Sequence, residues 1–463
     1  MEDFNPPQEI LEETPDPEPA PLVVEPLRQD ADLLFLTGEA GTGKTTVLHH
    51  ARKNHPGHYE VTATTGVAAM NADAITINSF IGFGDKGELA YTHKQGRLVP
   101  RILGKCKDVK TLVIDEASML HGSSLDILVD AIRQINEDGR LVYSVAKEDY
   151  ENYPLRLVLV GDFAQLPPVD KDANKDAKTP PWAFLANCWK DFEVQKLTKI
   201  HRQTNPTFME AIRAARHGNG AMCVRLLQEC GVEFTPFLKD GALTLFATNA
   251  EVQSWNMEKF LRLLKDNADT QEVFNAMRWG QQRTEWTREI PDAITFCKGT
   301  RVRITANDTK HWEYVNGDQG IIESIDEGKV FVKLDRSGRL IEIKRVFRFN
   351  DVNNEDVAEL RKQGKTVLQR VVVYDDGDQS VKYYIGSVNY MPMKYGWAST
   401  VHSVQGLSLD HLQVCPMHKF FGSPNLAYVA LSRARNPEGL VIHGIPGQLS
   451  RKITMAKEAT PWI

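Results

Sequence analysis

The chain has 463 residues, enough for two or three domains with separate cores, and its 42% hydrophobic and 25% charged residues predict a folded globular protein. No apolar run reaches about 18 residues, and the N-terminus lacks the basic start and apolar stretch of a secretory signal, so we expect neither a membrane span nor a leader. The six cysteines are scattered without a CxxC pair, which argues against a zinc site and for a reducing compartment. We therefore expect a cytoplasmic or nucleoid-associated protein, or a nuclear or mitochondrial one in a eukaryote.

The net charge of −6 is unevenly distributed. Residues 1–25 contain eight acidic residues and no lysine or arginine, so the rest of the chain carries about +2. Residues 1–27 are also rich in proline and predict a flexible tail, with DNA mimicry or docking to a partner as the alternatives. Net charge neither supports nor excludes a nucleic-acid partner, because a binding groove can be locally basic.

Three short apolar runs end in residues that suit a binding site. Residues 33–36 precede a glycine-rich turn, residues 111–114 precede Asp-Glu, and residues 157–160 precede Gly-Asp. Uninterrupted apolar runs are typical of parallel strands that helices cover on both faces, and ligands of such sheets bind at the carboxyl ends of the strands. The sequence therefore predicts an α/β fold with its site at that edge.

Two segments interrupt this pattern. Residues 81–108 contain many glycines and more lysine and arginine than acidic residues. Residues 313–392 contain strand-like runs separated by Glu-Gly, Ser-Gly and Asp-Gly turns, which predict a small β-barrel inserted in a second α/β domain. The predicted organisation is a first domain over 28–205 and a second domain over 206–312 and 393–463.

The strongest local signal is Gly38-Glu39-Ala40-Gly41-Thr42-Gly43-Lys44-Thr45, which matches the phosphate-loop pattern GxxxxGK[ST]. The glycines let backbone N–H groups surround phosphate oxygens, and the following helix directs its positive end to the same anion. Lys44 is expected to reach the β- and γ-phosphates, and Thr45 to offer its hydroxyl to magnesium. The predicted residues for ATP binding are Gly38, Gly41, Thr42, Gly43, Lys44, Thr45 and Thr46.

Residues after the other two strands suit hydrolysis. Asp115 can hold the magnesium ion through water, and Glu116 can polarise the attacking water. Alone, this pair would fit a solvated strand end, but its place after a phosphate loop favours catalysis. Gln165 could contact either the γ-phosphate or the attacking water, or it could lie in a proline-terminated surface turn.

Two arginines could supply the positive charge that the γ-phosphate requires during transfer. Arg202 and Arg433 both lie far along the chain from the phosphate loop. If both reach the nucleotide, ATP binds in a cleft between domains that closes on ATP and opens after hydrolysis. From spacing alone, each would more often be a surface ion-pair partner.

Together these segments resemble the superfamily-one DNA helicases of the petite-integration-frequency (PIF) type, with RecD-like relatives. The resemblance runs from about residue 31 to 441, and its last two segments are not shared by phosphate-loop ATPases in general. The seven matching segments, in the family's order, are 38–46, 63–69, 113–119, 160–169, 200–203, 397–406 and 428–433.

The resemblance implies two RecA-like domains with ATP between them and single-stranded DNA crossing both. It places Lys44, Thr45, Asp115, Glu116, Gln165, Arg202 and Arg433 in the ATPase site. It implies DNA contacts from Thr64, Thr65 and Phe80 in the first domain and from Thr400 and His402 in the second. It also implies that Gly406 links DNA to nucleotide and that residues 81–108 form a wedge that parts the duplex.

We accordingly expect a monomer that moves 5′ to 3′ on single-stranded DNA and acts on forked or tailed duplex DNA, using ATP and magnesium. Hydroxyls suit phosphate contacts without sequence preference, and an aromatic ring suits base stacking. Without the resemblance, Phe80 would more often be a core residue than a stacking platform.

Some positions depart from the family pattern. Asn78 stands where the family has histidine, and Ser403 stands where it has lysine, which predicts weaker and less salt-dependent DNA binding. A longer polar stretch over about 136–154 replaces the family's short link, and the glutamine that would contact adenine is not evident. The subfamily and the base preference therefore stay open.

Two further classes of function fit parts of the pattern. A nucleic-acid-binding protein whose ATP state gates a clamp or remodels bound protein would use the same pocket without unwinding. A phosphate-loop kinase or GTPase would leave the segments 400–406 and 428–433 without a role. A wedge able to part base pairs would distinguish a helicase from the first alternative. Stimulation of ATP hydrolysis by single-stranded DNA would separate the second alternative from both.

The phosphate-loop assignment is tested by Lys44→Ala. Because the β- and γ-phosphates would lose their cation, we expect ATP hydrolysis to be abolished. Phosphate release is measured with and without single-stranded DNA, and retained DNA-stimulated turnover would refute the assignment.

Overall fold

A computed structural model describes residues 24–72, 74–84, 86–106, 109–139, 154–168, 181–200, 203, 205–308, 313–314, 316–352, 354–373 and 379–462. The predicted tail therefore lies almost entirely outside the described residues, as do Arg202 and most of the polar stretch at 136–154. Leu27, assigned to the tail, is buried in the first-domain core, so that domain begins before residue 28. No helix in the described ranges is long and apolar enough to cross a membrane.

The first domain is built on a six-stranded parallel sheet with the order β3-β2-β4-β5-β1-β6. The three apolar runs form β1, β4 and β5, as predicted, and all three are buried because helices cover both faces of the sheet. The strands are β1 (Leu33–Gly38), β2 (Tyr59–Ala63), β3 (Ile75–Thr76), β4 (Thr111–Asp115), β5 (Arg156–Gly161) and β6 (Glu193–Leu197).

Alternate residues of β1 point to opposite faces of the sheet. Leu34 and Leu36 pack with Val47 and Leu48 of the first helix, whereas Phe35 packs on the opposite side with Leu128. The helices of this domain are α1 (Lys44–Asn54), α2 (Gly66–Asn71), α3 (Ile77–Ile81), α4 (Lys86–Lys94), α5 (Leu98–Lys105) and α6 (Gly122–Gln134).

The basic segment 81–108 is not a free loop. Its two helices, α4 and α5, bury Leu89, Leu98 and Ile102 completely, and these side chains share one hydrophobic cluster with Leu128 of α6. Tyr91 of α4, in contrast, has 61% of its surface exposed. The segment therefore has a buried side that fixes it to the domain and an exposed side that carries an aromatic ring.

The second domain repeats the architecture with a five-stranded parallel sheet of order β20-β8-β21-β22-β7. Its strands are β7 (Glu233–Thr235), β8 (Leu243–Phe246), β20 (Ala398–Thr400), β21 (Leu412–Val414) and β22 (Leu440–His443). Its helices are α7 (Pro206–Arg216), α8 (Gly220–Glu229), α9 (Asn249–Asp266), α12 (Leu426–Leu431) and α13 (Pro446–Ser450). Two parallel α/β domains were the predicted fold class, and the structure confirms it.

Antiparallel strands interrupt the second domain between β8 and β20, and they extend further than the predicted 313–392. One sheet has the order β15-β14-β13-β12-β19, another joins β10, β16 and β17 to the long β18, and β9 pairs with β11. The strands are β9 (Glu272–Asn275), β10 (Met277–Gly280), β11 (Ala293–Phe296), β12 (Arg301–Ile304), β13 (Gln319–Asp326), β14 (Lys329–Leu334), β15 (Leu340–Ile343), β16 (Val346–Val352), β17 (Leu368–Val373), β18 (Gln379–Tyr390) and β19 (Met393–Tyr395), with two short helices, α10 (Thr284–Glu289) and α11 (Val357–Lys362).

The two α/β domains share buried surface. Ala40, Ala164 and Leu166 of the first domain lie in the hydrophobic cluster of the second. In return, Ala459 near the C-terminus lies in the first-domain cluster, and the Trp462 ring packs at 5.3 Å from that of Trp189. The phosphate loop, through Ala40, is thereby packed against the second domain.

The packing of α5 predicts a measurable stability difference. Ile102→Ala removes a fully buried side chain and should cost about 2–5 kcal/mol of the free energy of unfolding. Leu185→Ala is the matched control, because 55% of that side chain is exposed and its loss should change stability by less than about 0.5 kcal/mol. Denaturant unfolding of both variants checks this, and equal losses would contradict the assigned packing.

Candidate active site

The phosphate loop has the shape that its glycines predict. Gly41 and Gly43 adopt left-handed φ values of 87° and 82°, which side chains rarely tolerate, and α1 begins at the next residue. The Lys44 ammonium donates to the carbonyls of Gly38 at 2.8 Å and Glu39 at 3.0 Å. Lys44 therefore lies over the loop, where a phosphate group would meet it.

Asp115 and Glu116 lie beside this loop at the end of β4. The Thr45 hydroxyl is 3.5 Å from the Asp115 carboxylate, so two oxygen donors of the kind that magnesium prefers lie together. Burial and the neighbouring Glu116 charge raise the pKa of Asp115 to about 7. A cation at this position would counter both effects, and the donor set therefore fits a magnesium ion.

The loop after β5 is held from the second domain. The Asn425 side-chain amide donates to the carbonyls of Phe163 at 3.3 Å and Gln165 at 2.8 Å. Gln165 is only 3% exposed, and its side-chain oxygen has no hydrogen-bond partner among the described residues. The alternative of a surface turn for Gln165 is therefore wrong. The side-chain oxygen of this buried amide is available to bind nucleotide or water.

Arg433 is buried as well, with 1% of its surface exposed. Its guanidinium donates to the carbonyls of Val429 at 3.0 Å and Leu407 at 3.1 Å and to the Ser432 hydroxyl at 2.9 Å. Burial lowers the pKa of Arg433, and the nearby Glu116 carboxylate opposes that shift. A surface ion pair is therefore excluded for Arg433, whereas Arg202 lies outside the described residues.

Several contacts across the domain boundary were not predicted. The Gln405 amide donates to the Glu116 carboxylate at 3.2 Å. Arg213 of α7 donates to the Glu39 carboxylate at 3.1 Å. The Tyr428 hydroxyl accepts from the Ala40 backbone N–H at 3.0 Å. Gln405 and Tyr428 lie inside matching segments and could have been singled out, but nothing around Arg213 in the sequence marks it.

The predicted DNA residues of the first domain differ in accessibility. The Thr64 hydroxyl donates to the backbone carbonyl of Glu116 at 2.8 Å, and the Thr65 hydroxyl accepts from the Ala68 N–H at the start of α2. Phe80 is only 5% exposed, within the core, and the Lys105 ammonium lies 5.3 Å from its ring. A base could stack on Phe80 only if these neighbours moved, so the core alternative fits its burial.

The second-domain residues lie at the end of β20 and in the turn that follows it. The Thr400 and Ser403 hydroxyls are hydrogen-bonded at 2.9 Å, and the His402 side chain is exposed beside them. Arg303 of β12 donates to the backbone carbonyl of Ser403 at 3.1 Å, so the antiparallel insertion supports this turn. Gly406 follows with a left-handed φ of 86°.

A phosphate loop and an Asp-Glu pair that both contact a second parallel-sheet domain are typical of superfamily-one helicases. Residues 22–219 match the family model described as PIF1-like helicase. The chain is 26% identical to the ATP-dependent DNA helicase Pif1 of Bdellovibrio bacteriovorus over 90% of this chain and 85% of that protein.

Two solved structures have similar folds. One, described as two coordinating Pif1 helicases unwinding forked double-stranded DNA, has a TM-score of 0.65 and 25% identity over 93% of this chain and 92% of that one. Pif1 from Bacteroides with ADP-AlF3 and single-stranded DNA has a TM-score of 0.67 and 24% identity over 94% and 93%. The chain is similar to PIF1-like helicases in sequence and fold, and it is an ATP-hydrolysing helicase.

The predicted role of Arg433 at the γ-phosphate implies a selective defect. Arg433→Ala should slow hydrolysis by about 1,000-fold or more, because charge on the γ-phosphate develops mainly in the transition state. ATP binding should change far less. Single-turnover hydrolysis and equilibrium nucleotide binding measure the two effects, with thermal unfolding as a check on folding. Arg435→Ala is the control, since Arg435 pairs with Asp410 at the surface; equal losses of binding and hydrolysis would argue against a transition-state role.

Proposed function

We propose that the chain couples hydrolysis of magnesium-bound ATP to 5′ to 3′ movement on single-stranded DNA and to unwinding of tailed or forked duplexes. The observation that carries this proposal is the contact of Tyr428 with Ala40 in the phosphate loop. Tyr428 lies five residues before Arg433, so the segment that carries the arginine reaches the nucleotide site of the other domain. ATP bound there would contact both domains.

The chemistry follows from the residues around the phosphate loop. Thr45 and Asp115 would hold magnesium, which would neutralise phosphate charge during transfer. Glu116 would polarise the attacking water, and Gln165 would bind that water or the γ-phosphate. Arg433 and Arg202 would approach the γ-phosphate from the second-domain side when the cleft closes.

The proposed DNA contacts are connected to hydrolysis through short stretches of backbone and single hydrogen bonds. Thr64 binds the backbone of Glu116, and only two residues separate His402 from Gln405, whose amide binds the Glu116 carboxylate. A DNA strand held by Thr64 and Thr400 would therefore fix two neighbours of the residue that activates water. This arrangement favours DNA-stimulated hydrolysis, because single-stranded DNA would organise the site without entering it.

Strand separation requires an element that blocks one strand, and the exposed side of 81–108 is suited to it. Tyr91 presents an exposed ring that could stack on the end of a duplex, while the buried side of the segment keeps it in place. We further propose that one copy suffices for movement. The similar structure is described as two coordinating Pif1 helicases at a fork, so cooperation between two copies is the alternative that the test must distinguish. Such a protein would act in the cell compartment that contains the DNA.

Polarity and enzyme class are tested together on duplexes with a 5′ or a 3′ single-stranded tail. Unwinding should require ATP, magnesium and a 5′ tail. Lys44→Ala is the negative control, and a rate that is linear in protein concentration supports one active copy. Unwinding from the 3′ tail alone would refute the polarity, and DNA-stimulated hydrolysis without unwinding would favour the gated clamp.

The wedge is tested by Tyr91→Ala. Deleting the whole segment would expose the apolar residues that pack on α6, so a surface substitution is the sharper change. Loss of a stacking platform worth about 1–3 kcal/mol should slow unwinding about tenfold or more and leave DNA-stimulated hydrolysis unchanged. Leu185→Ala, which removes another exposed apolar side chain, is the control. Normal unwinding by Tyr91→Ala would place the wedge elsewhere.

A further inference from the structure

Four groups from separate segments meet in one buried chain of hydrogen bonds between the domains. The Ala40 N–H donates to the Tyr428 hydroxyl at 3.0 Å, and that hydroxyl lies 3.0 Å from one carboxylate oxygen of Asp162. The other oxygen accepts from Arg216 at 2.8 Å and from the Ala164 N–H at 3.0 Å. Asp162 is fully buried, and Tyr428 and Arg216 are at most 2% exposed.

The direction of each hydrogen bond is fixed. Because the Tyr428 hydroxyl accepts from Ala40, its single proton is available to Asp162, which must therefore be the acceptor. Burial alone would raise the pKa of Asp162, but the Arg216 guanidinium and the Lys44 ammonium lower it below its ordinary value. Asp162 is thus a carboxylate, and its charge holds both second-domain groups in one orientation.

The second domain holds the phosphate loop at two successive residues. Arg216 ends α7, and Arg213, one turn earlier on the same helix, pairs with Glu39 of the loop. Tyr428 contacts Ala40, the next residue. Arg213 lies near the surface, where an ion pair contributes little, whereas the chain through Tyr428 is shielded from water.

The same chain of hydrogen bonds determines where the Arg433 side chain lies. The Tyr428 backbone carbonyl accepts from the Ser432 N–H at 2.9 Å, and the Arg433 guanidinium donates to the Val429 carbonyl at 3.0 Å. Arg433 is therefore attached to the carboxyl end of α12, whose first turn contains Tyr428. A shift of Tyr428 against Ala40 would move the arginine by a similar distance.

We propose that Tyr428 is a positioning residue for ATP hydrolysis, whose hydroxyl, held by Asp162 and Arg216, sets the separation between the phosphate loop and Arg433. This inference rests on the proposed role of Arg433. It differs from simple stabilisation, because a group that only holds the fold together would affect stability and nucleotide binding rather than the transition state.

The test is Tyr428→Phe, which keeps the ring and removes the hydroxyl from the chain. We expect kcat for DNA-stimulated hydrolysis to fall about 10- to 100-fold, as for the loss of one hydrogen bond to a charged group, with KM for ATP changing less than about threefold. Tyr395→Phe is the matched control, because its hydroxyl donates to the Thr295 carbonyl at 2.8 Å in the insertion. Equal effects of the two variants, or an unchanged kcat, would overturn the inference.

A double-variant cycle separates positioning from general damage. If Tyr428 acts through Arg433, Tyr428→Phe should slow single-turnover hydrolysis less than about threefold in an Arg433→Ala background. The full 10- to 100-fold loss in that background would show that the two residues act independently and would overturn the inference. A normal kcat for Arg433→Ala alone would overturn the proposed function as well.

Folding is followed by thermal unfolding for each variant. If Tyr428→Phe is unfolded at the assay temperature, Arg216→Lys replaces it, because lysine keeps the buried charge but lacks the forked guanidinium that orients Asp162. The same fall in kcat with little change in KM is expected. A fall in stability with normal kcat in the folded fraction would refute positioning and leave only a structural role.

Discussion

Asp162 is a fully buried carboxylate at the boundary of two domains, and the arrangement of the nucleotide site depends on how its charge is satisfied. Leaving such a charge unpaired would cost several kcal/mol, so both domains must supply donors whenever they are in contact. Arg216, Tyr428 and the Ala164 N–H fill this role. The requirement favours the relative position of the domains in which the phosphate loop touches the second domain.

The same boundary explains how DNA and nucleotide can influence each other without contact. Glu116 is approached by the Gln405 amide from the second domain, and its backbone carbonyl accepts from Thr64 in the first. Each neighbour lies on a short turn that also carries a predicted DNA contact. Rigid turns of this kind transmit a shift because packed interiors deform little. The antiparallel insertion contributes through Arg303, which holds the turn at Ser403.

Hydrophobic periodicity and motif chemistry predicted much of the first domain. Continuous apolar runs identified β1, β4 and β5, and the glycine pattern identified the loop before α1, because these features depend on residues close in sequence. The extent of the insertion was underestimated, since β9 to β12 have only four residues each, too few for a hydrophobic pattern to identify a strand. The packing of α4 and α5 on α6 was not predicted, and the burial of Phe80 was predicted only as the alternative to a DNA contact, because both depend on contacts between separate segments.

The sequence by itself determined the phosphate loop, the carboxylates after β4, the class of fold and the resemblance to one helicase family, because each rests on local residue order. Only the tertiary structure decided which side chains join the domains. From their neighbouring residues alone, Arg213 and Arg216 would be interpreted as ordinary cations of an amphipathic helix. Tyr428 would be interpreted as one of several apolar residues in its segment. Their roles depend on hydrogen-bond partners 174, 54 and 388 residues away along the chain. Local residue patterns do not predict contacts between residues so far apart in sequence.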